Sequence, residues 1–128
     1  MRWTGVLVFT GVAALAVPAL AHHSIAAMYD RDRTVELQGV LSKVELINPH
    51  AMMEVTVPAR SGPATVWAVE SRGVQGMTRV GFERGSIAVG EKVTIKGAPA
   101  RDGGKSLWLN TLQTADGRTF DFSLGRRN

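Results

Sequence analysis

Residues 65–96, which read TVWAVESRGVQGMTRVGFERGSIAVGEKVTIK, decide the fold. The stretch begins with six residues rich in β-formers, and its last residues (92–96) alternate between polar and apolar side chains, so a strand is predicted at each end. Between the two strands, Val74, Met77 and Val80 follow helical spacing despite two nearby glycines. The stretch therefore predicts a strand, a short helix and a second strand.

Four further strand patterns flank this stretch. The first begins at Val35, and its apolar positions change phase at Gly39, which predicts a β-bulge there. The others lie over residues 53–57 and 106–114 and in a last segment that ends at Leu124. We predict an all-β fold, a small OB-like barrel of five to six strands with one short helix between strands three and four. A β-sandwich is the alternative.

Residues 1–21 have the pattern of a secretory signal peptide. A positive charge at Arg2 precedes an apolar segment over residues 6–17, and residues 18–21 (PALA) supply small side chains before a cleavage site. We expect cleavage after Ala21, a periplasmic or secreted location, and no stable membrane insertion after cleavage. The predicted organisation is a signal peptide over 1–21, an N-terminal arm that contains histidines over 22–34, and a barrel domain over 35–128.

Composition and charge exclude several classes of function. The chain has 128 residues, a formal net charge of +4 and no cysteine, which excludes disulfides and thiolate zinc sites. The positive charges form no block longer than Arg126-Arg127, so we expect no binding to nucleic acid. The sequence also lacks a nucleophile elbow, a glycine-rich phosphate loop and a constellation of carboxylates, so we expect that the protein is not an enzyme.

Short motifs are spread over the whole of the predicted mature chain. They are AHHS (21–24), GVLSKVE (39–45), NPHA (48–51), WAVE (67–70), VGEKV (89–93) and ARDG (100–103). With these motifs in this order, the chain resembles a family of small exported bacterial proteins classed as a domain of unknown function. The resemblance implies an exported bacterial protein and carries over no activity. Met52 and Met53 depart from the family pattern, which more often has an aromatic residue there.

All three histidines are candidate metal ligands. Cleavage after Ala21 places His22 at the mature N-terminus, where its α-amine and ring nitrogen chelate one ion and His23 or His50 completes the nitrogen set. Amine and imidazole nitrogens suit copper, which the Irving–Williams order places above its first-row neighbours. We therefore predict that His22, His23 and His50 bind a copper ion, with Pro49 holding His50 at a defined angle.

A structural interpretation of the same residues stays open. His22 and His23 would then be solvated, and His50 would cap the turn after Pro49 or pack its ring against Trp67. The sequence likewise suggests that Glu70 is a solvated or ion-paired carboxylate rather than part of a site.

Two other functions stay open beside metal binding. Small OB-like barrels bind ligands across strands two and three, so the chain would be a binding module for an oligosaccharide or peptide. Trp67 and Trp108 would form its stacking platform. The remaining alternative is an envelope structural or adaptor protein with a protein partner and no metal.

Overall fold

The structure is a computed structural model, and it describes residues 24–123. The chain forms six strands and two short helices in this range. In chain order they are α1 (Ile25–Met28), β1 (Val35–Glu45), β2 (Met52–Val57), β3 (Thr65–Glu70), α2 (Val74–Thr78), β4 (Lys92–Pro99), β5 (Ser106–Thr114) and β6 (Thr119–Asp121). No helix within the described residues is both long and apolar enough to cross a membrane.

The six strands form one sheet that closes on itself. The order of hydrogen-bonded neighbours is β3-β2-β1-β4-β5-β6, and β3 also pairs with β5 in parallel, which closes a barrel of five strands. β6 is an additional strand that pairs with residues 111–113 of β5, beyond the residues that pair with β3. α2 lies between β3 and β4 in the chain. The predicted all-β, OB-like barrel with one helix between strands three and four is confirmed, and the chain does not form a sandwich.

The alternation of side chains along the strands fills the barrel. Fifteen buried side chains form one apolar cluster, and α2 contributes Met77 to it, which is fully buried. The members are Leu41, Ala51, Met53, Val55, Val69, Met77, Phe82, Ile87, Val93, Ile95, Leu107, Leu109, Leu112, Phe120 and Phe122. Leu124, which we expected at the end of the last strand, lies outside the described residues.

The bulge in β1 is not at the predicted position. The register between β1 and β2 shifts between Leu41 and Lys43, two residues after Gly39. Gly39 instead marks a close approach of two backbones, because a Cβ there would collide with the carbonyl oxygen of Thr56 and lie 2.8 Å from a methyl group of Val55. A glycine inside a strand pattern can mark either a bulge or a close approach of two backbones, and the sequence alone does not distinguish the two.

The described part of the N-terminal arm docks on the loop between β4 and β5. Tyr29 forms an isolated bridge with Ala100 and is only 3% exposed. The N–H of Arg101 donates to the carbonyl of Met28 at 2.9 Å. Ser24 caps α1 by accepting the N–H of Ala27 at 3.2 Å. Tyr29 therefore packs as part of the barrel domain, whereas the predicted signal peptide, His22 and His23 lie outside the described residues.

Candidate functional site

A carboxylate with two partners lies at the end of β3. One oxygen of Glu70, Oε1, is 2.5 Å from Nδ1 of His50, and the other, Oε2, accepts a hydrogen bond of 2.6 Å from the hydroxyl of Tyr29. The Glu70 side chain is only 13% exposed, and that of His50 is 35% exposed. The barrel thus joins three polar side chains that are 20 and 41 residues apart in the chain.

The loop that carries His50 is anchored on both sides. The side-chain oxygen of Asn48 accepts the N–H of Val74 at 3.0 Å, which ties the loop to the first residue of α2. The N–H of Ala51 donates to the carbonyl of Arg72 at 3.1 Å, and Ala51 itself is fully buried. Hydrogen bonds on both sides of His50 therefore hold the backbone of this loop in place.

Trp108 forms the aromatic side of the site. In the parallel pairing of β3 with β5, Glu70 lies opposite Trp108. The imidazole of His50 meets the Trp108 ring edge to face, with centroids 5.1 Å apart, and the ring of Tyr29 lies 6.2 Å away in a tilted arrangement. Such edge-to-face contacts are favoured by the quadrupoles of the rings. The interpretation that placed His50 against Trp67 is wrong, because its aromatic partner is Trp108.

The two tryptophans do not share a face. Trp67 lies opposite Val55, which is fully buried, and it packs against the apolar core with the ammonium of Lys105 5.3 Å from its ring centroid. Trp108 lies opposite Glu70, the last residue of β3. A stacking platform made of both rings, as the sequence suggested, is therefore not formed.

Tyr29 is the donor in its hydrogen bond to Glu70. Burial, and next the hydrogen bond to Glu70 and its negative charge, raise the pKa of the Tyr29 hydroxyl far above its usual value, so this group is a hydrogen-bond donor. An ionised carboxylate can only accept hydrogen bonds. Glu70 therefore accepts from Tyr29 and from an N–H at Nδ1 of His50. This leaves Nε2 as the nitrogen of a neutral His50 that carries a lone pair.

His50 opens into a solvent-accessible cleft of about 390 Å³. The cleft is lined by Ile25, Arg31, Pro49, His50, Arg72, Gly73 and Trp108. Among the described residues Nε2 of His50 makes no hydrogen bond. The N-terminal arm reaches the same cleft through Ile25.

The predicted ligands are only partly covered by the structure. His50 lies in the site, whereas His22 and His23 precede the first described residue, Ser24. Within residues 24–123, no three side chains of His, Cys, Asp or Glu come together as a metal site. Glu70 is not a solvated carboxylate, because it is hydrogen-bonded to His50 and Tyr29 and its side chain is only 13% exposed.

Comparisons with solved structures concern the fold. The barrel is similar to the mitochondrial single-stranded DNA-binding protein Rim1 from S. cerevisiae, with 10% sequence identity, a TM-score of 0.52, and coverage of 65% of this chain and 93% of that chain. A second structure of that protein gives 10% identity and a TM-score of 0.45, covering 66% and 95% of the two chains. At this identity the likeness supports the OB-like fold alone.

Comparisons of sequence place the chain in a family. Among curated proteins none matches the chain. Residues 10–108 match a family of unknown function, which agrees with the family resemblance of the motifs, while export and signal cleavage stay predictions. The chain belongs to DUF6152, a family of unknown function.

Proposed function

We propose that the protein is an exported metal-binding protein that holds a copper ion through His50 and the histidines of the N-terminal arm. The observation that supports this most strongly is the pairing of Nδ1 of His50 with Glu70, while Nε2 lies in an open cleft. Metal-binding histidines almost always donate their other ring N–H to a carboxylate, a carbonyl or water, which fixes the tautomer and raises the basicity of the ligand. His50 has this arrangement.

The course of the chain supports the other two ligands. Ile25 lines the cleft beside His50, and His23 precedes it by two residues. Two residues of chain span at most about 7 Å and three at most about 11 Å, so an arm docked at Ile25 would keep His23 and His22 near the cleft. With a free α-amine at His22, the site would offer amine and imidazole nitrogens, which favour Cu²⁺.

Tyr29 and Glu70 would hold the ligand rather than touch the ion. Both carboxylate oxygens of Glu70 are hydrogen-bonded, one to Tyr29 and one to His50. Glu70 would therefore affect the metal only indirectly, by orienting the imidazole of His50 and raising its basicity. Loss of such a supporting partner typically weakens metal binding by about 10- to 100-fold. Glu70→Gln is therefore expected to lower copper affinity by roughly tenfold or more.

The test is a copper titration of protein that begins at His22, followed by electron paramagnetic resonance. Nitrogen hyperfine structure from one bound Cu²⁺ is expected. His50→Asn keeps an amide N–H near the position of Nδ1 but removes Nε2, so copper affinity should fall at least tenfold, about 1.4 kcal/mol, with little change in metal-free stability. An extra residue before His22 should also weaken binding, because it displaces the α-amine.

A matched control separates the role of Glu70 from a loss of charge. Glu36 is also a strand carboxylate, but it forms an ion pair with Lys96 at 2.8 Å and its side chain is 48% exposed. Glu36→Gln should leave copper affinity unchanged. A spectrum of loosely bound Cu²⁺ in the wild-type protein would contradict the proposal, and full affinity in His50→Asn would confine the site to His22 and His23.

Two parts of the proposal concern the cell and need separate measurements. Mass spectrometry of the exported protein should show a chain that begins at His22, and fractionation should place it in the periplasm or medium. A binding module for an oligosaccharide or peptide stays the second candidate, since the barrel is compatible with it, but Trp67 and Trp108 do not form its stacking platform. An envelope adaptor, the lack of enzyme activity and the lack of nucleic-acid binding also stay predictions.

A further inference from the structure

Two arginines line the His50 cleft without a counter-ion. Arg31 lies two residues after the docked Tyr29, and Arg72 lies two residues after Glu70. Among the described residues, neither guanidinium group makes an ion pair or a side-chain hydrogen bond. By contrast, Arg101 pairs with Asp30 and donates to a backbone carbonyl. The cleft therefore brings together two positive groups whose hydrogen-bond donors are free.

The carboxylate that ends β3, two residues before Arg72, is already engaged. Glu70 is bound by His50 and Tyr29, and it is not among the residues that line the cleft. The lining contains no Asp or Glu within the described part of the chain. Like charges in a concave surface focus the potential and raise the local concentration of an oppositely charged ligand. The cleft is therefore suited to an anion.

Packing holds Arg72 in place. The side chain is half-buried, and its hydrocarbon stem crosses Gly76 of α2. A Cβ at Gly76 would lie 2.6 Å from Cβ and 3.0 Å from Cδ of Arg72, so any larger residue would push the stem aside. The glycine within this helix thus makes room for the arginine. A guanidinium group whose stem is fixed loses less entropy when it binds a ligand.

The other walls are apolar or aromatic. Ile25, Pro49 and Trp108 line the cleft together with the two arginines. Planar guanidinium groups bind carboxylate or phosphate oxygens through two parallel hydrogen bonds. We propose that the cleft binds a small organic anion, whose oxyanion group is held by Arg31 and Arg72 and whose apolar part contacts Trp108. The inference does not depend on copper binding.

Benzoate is a suitable probe because it joins a carboxylate to a flat ring. The titration uses metal-free mature protein at constant ionic strength, followed by two-dimensional NMR of the indole N–H groups. Saturable shifts are expected at Trp108 and not at Trp67, which packs on the core. Benzamide has the same shape without the charge and should cause no saturable shift. Equal binding of benzamide, or no saturable shift with benzoate, would overturn the proposal without requiring any variant.

Variants locate the anion. Arg72→Gln and Arg31→Gln should each weaken benzoate binding about tenfold or more. Arg79→Gln removes the same charge at the end of α2, outside the cleft lining, and should leave binding within about twofold. Equal losses of benzoate affinity in all three variants would mean that binding depends only on the net charge of the protein, and would overturn the assignment of the anion to Arg31 and Arg72. Copper titration of Arg72→Gln separates the two sites, because its copper affinity should not fall even though benzoate binding does.

Discussion

Replacing Tyr29 by Phe is expected to lower the free energy of unfolding by about 1.5–2 kcal/mol. A net hydrogen bond to a charged group contributes about 1.5–3 kcal/mol. The Tyr29 hydroxyl donates to Glu70 at 2.6 Å, and the variant removes this donor while the ring still packs beside Trp108. The Glu70 side chain is 13% exposed and can take a water in its place, which puts the expected loss in the lower half of the range.

The assay is thermal and denaturant unfolding of the metal-free protein, followed by circular dichroism. For a domain of 60–100 residues, 1 kcal/mol shifts Tm by about 4–8 °C, so Tyr29→Phe should melt roughly 6–16 °C lower. On a Glu70→Gln background the same substitution should cost less, because the acceptor is no longer charged. The difference between the two backgrounds measures the coupling of the pair.

Thr56→Val is the matched control. It also removes one hydroxyl, which here makes an exposed bond of 3.3 Å to Ser42. Surface changes of this kind are usually within about 0.5 kcal/mol. If Tyr29→Phe changed stability no more than Thr56→Val does, the hydroxyl would not be bonded to Glu70, and the docking of the arm on the site would have to be reconsidered.

Three further predictions follow from individual residues. Tyr29 is the only tyrosine of the chain, so ultraviolet absorbance of the phenolate reports it alone; its pKa should lie above the usual value, and its contribution to stability, present below pH about 10, should be lost as the pH rises further. Gly39→Ala should lower the free energy of unfolding, measured with denaturant, by about 1–3 kcal/mol or more, because the added Cβ would collide with the backbone of Thr56. The Ser71 hydroxyl is buried without a partner among the described residues, so Ser71→Ala should match or exceed wild-type stability, and a loss above about 1 kcal/mol would indicate an unseen hydrogen bond.

The barrel was predictable because its signals are local. Val93 and Ile95 alternate with polar residues, and Met77 occupies helical spacing, so each element shows its buried face within a few residues. The bulge was misplaced because Gly39 was interpreted without its neighbour across the strands. Whether a glycine is needed for a bulge or for close packing depends on Thr56, which lies opposite Val40 in β1.

Part of the site was also within reach of the sequence. Trp67 has the same parity as the buried Val69 in β3, whereas Trp108 lies between the buried Leu107 and Leu109 in β5. Because side chains alternate across a strand, the first ring points inward and the second outward. Alternation alone therefore separates the two tryptophans and argues against a shared stacking platform.

The contacts of Glu70 were not predictable from local patterns. Its partners are Tyr29 and His50, 41 and 20 residues away in the chain. They meet only because β3 pairs with β5, which closes the barrel, and because the arm docks on the loop after β4. Closure and docking depend on the register of distant strands, which single-sequence patterns do not contain.

The same carboxylate connects the arm to the candidate ligand. One oxygen of Glu70 holds Tyr29, which fixes the arm, and the other holds the ring of His50. Docking of the arm and orientation of the imidazole are therefore one arrangement rather than two. Under the proposed function, Tyr29→Phe should weaken copper binding as well as folding, but less than His50→Asn does, because it leaves Nε2 in place. A variant that lost stability and kept full copper affinity would show that the arm reaches the ion without the help of this bond.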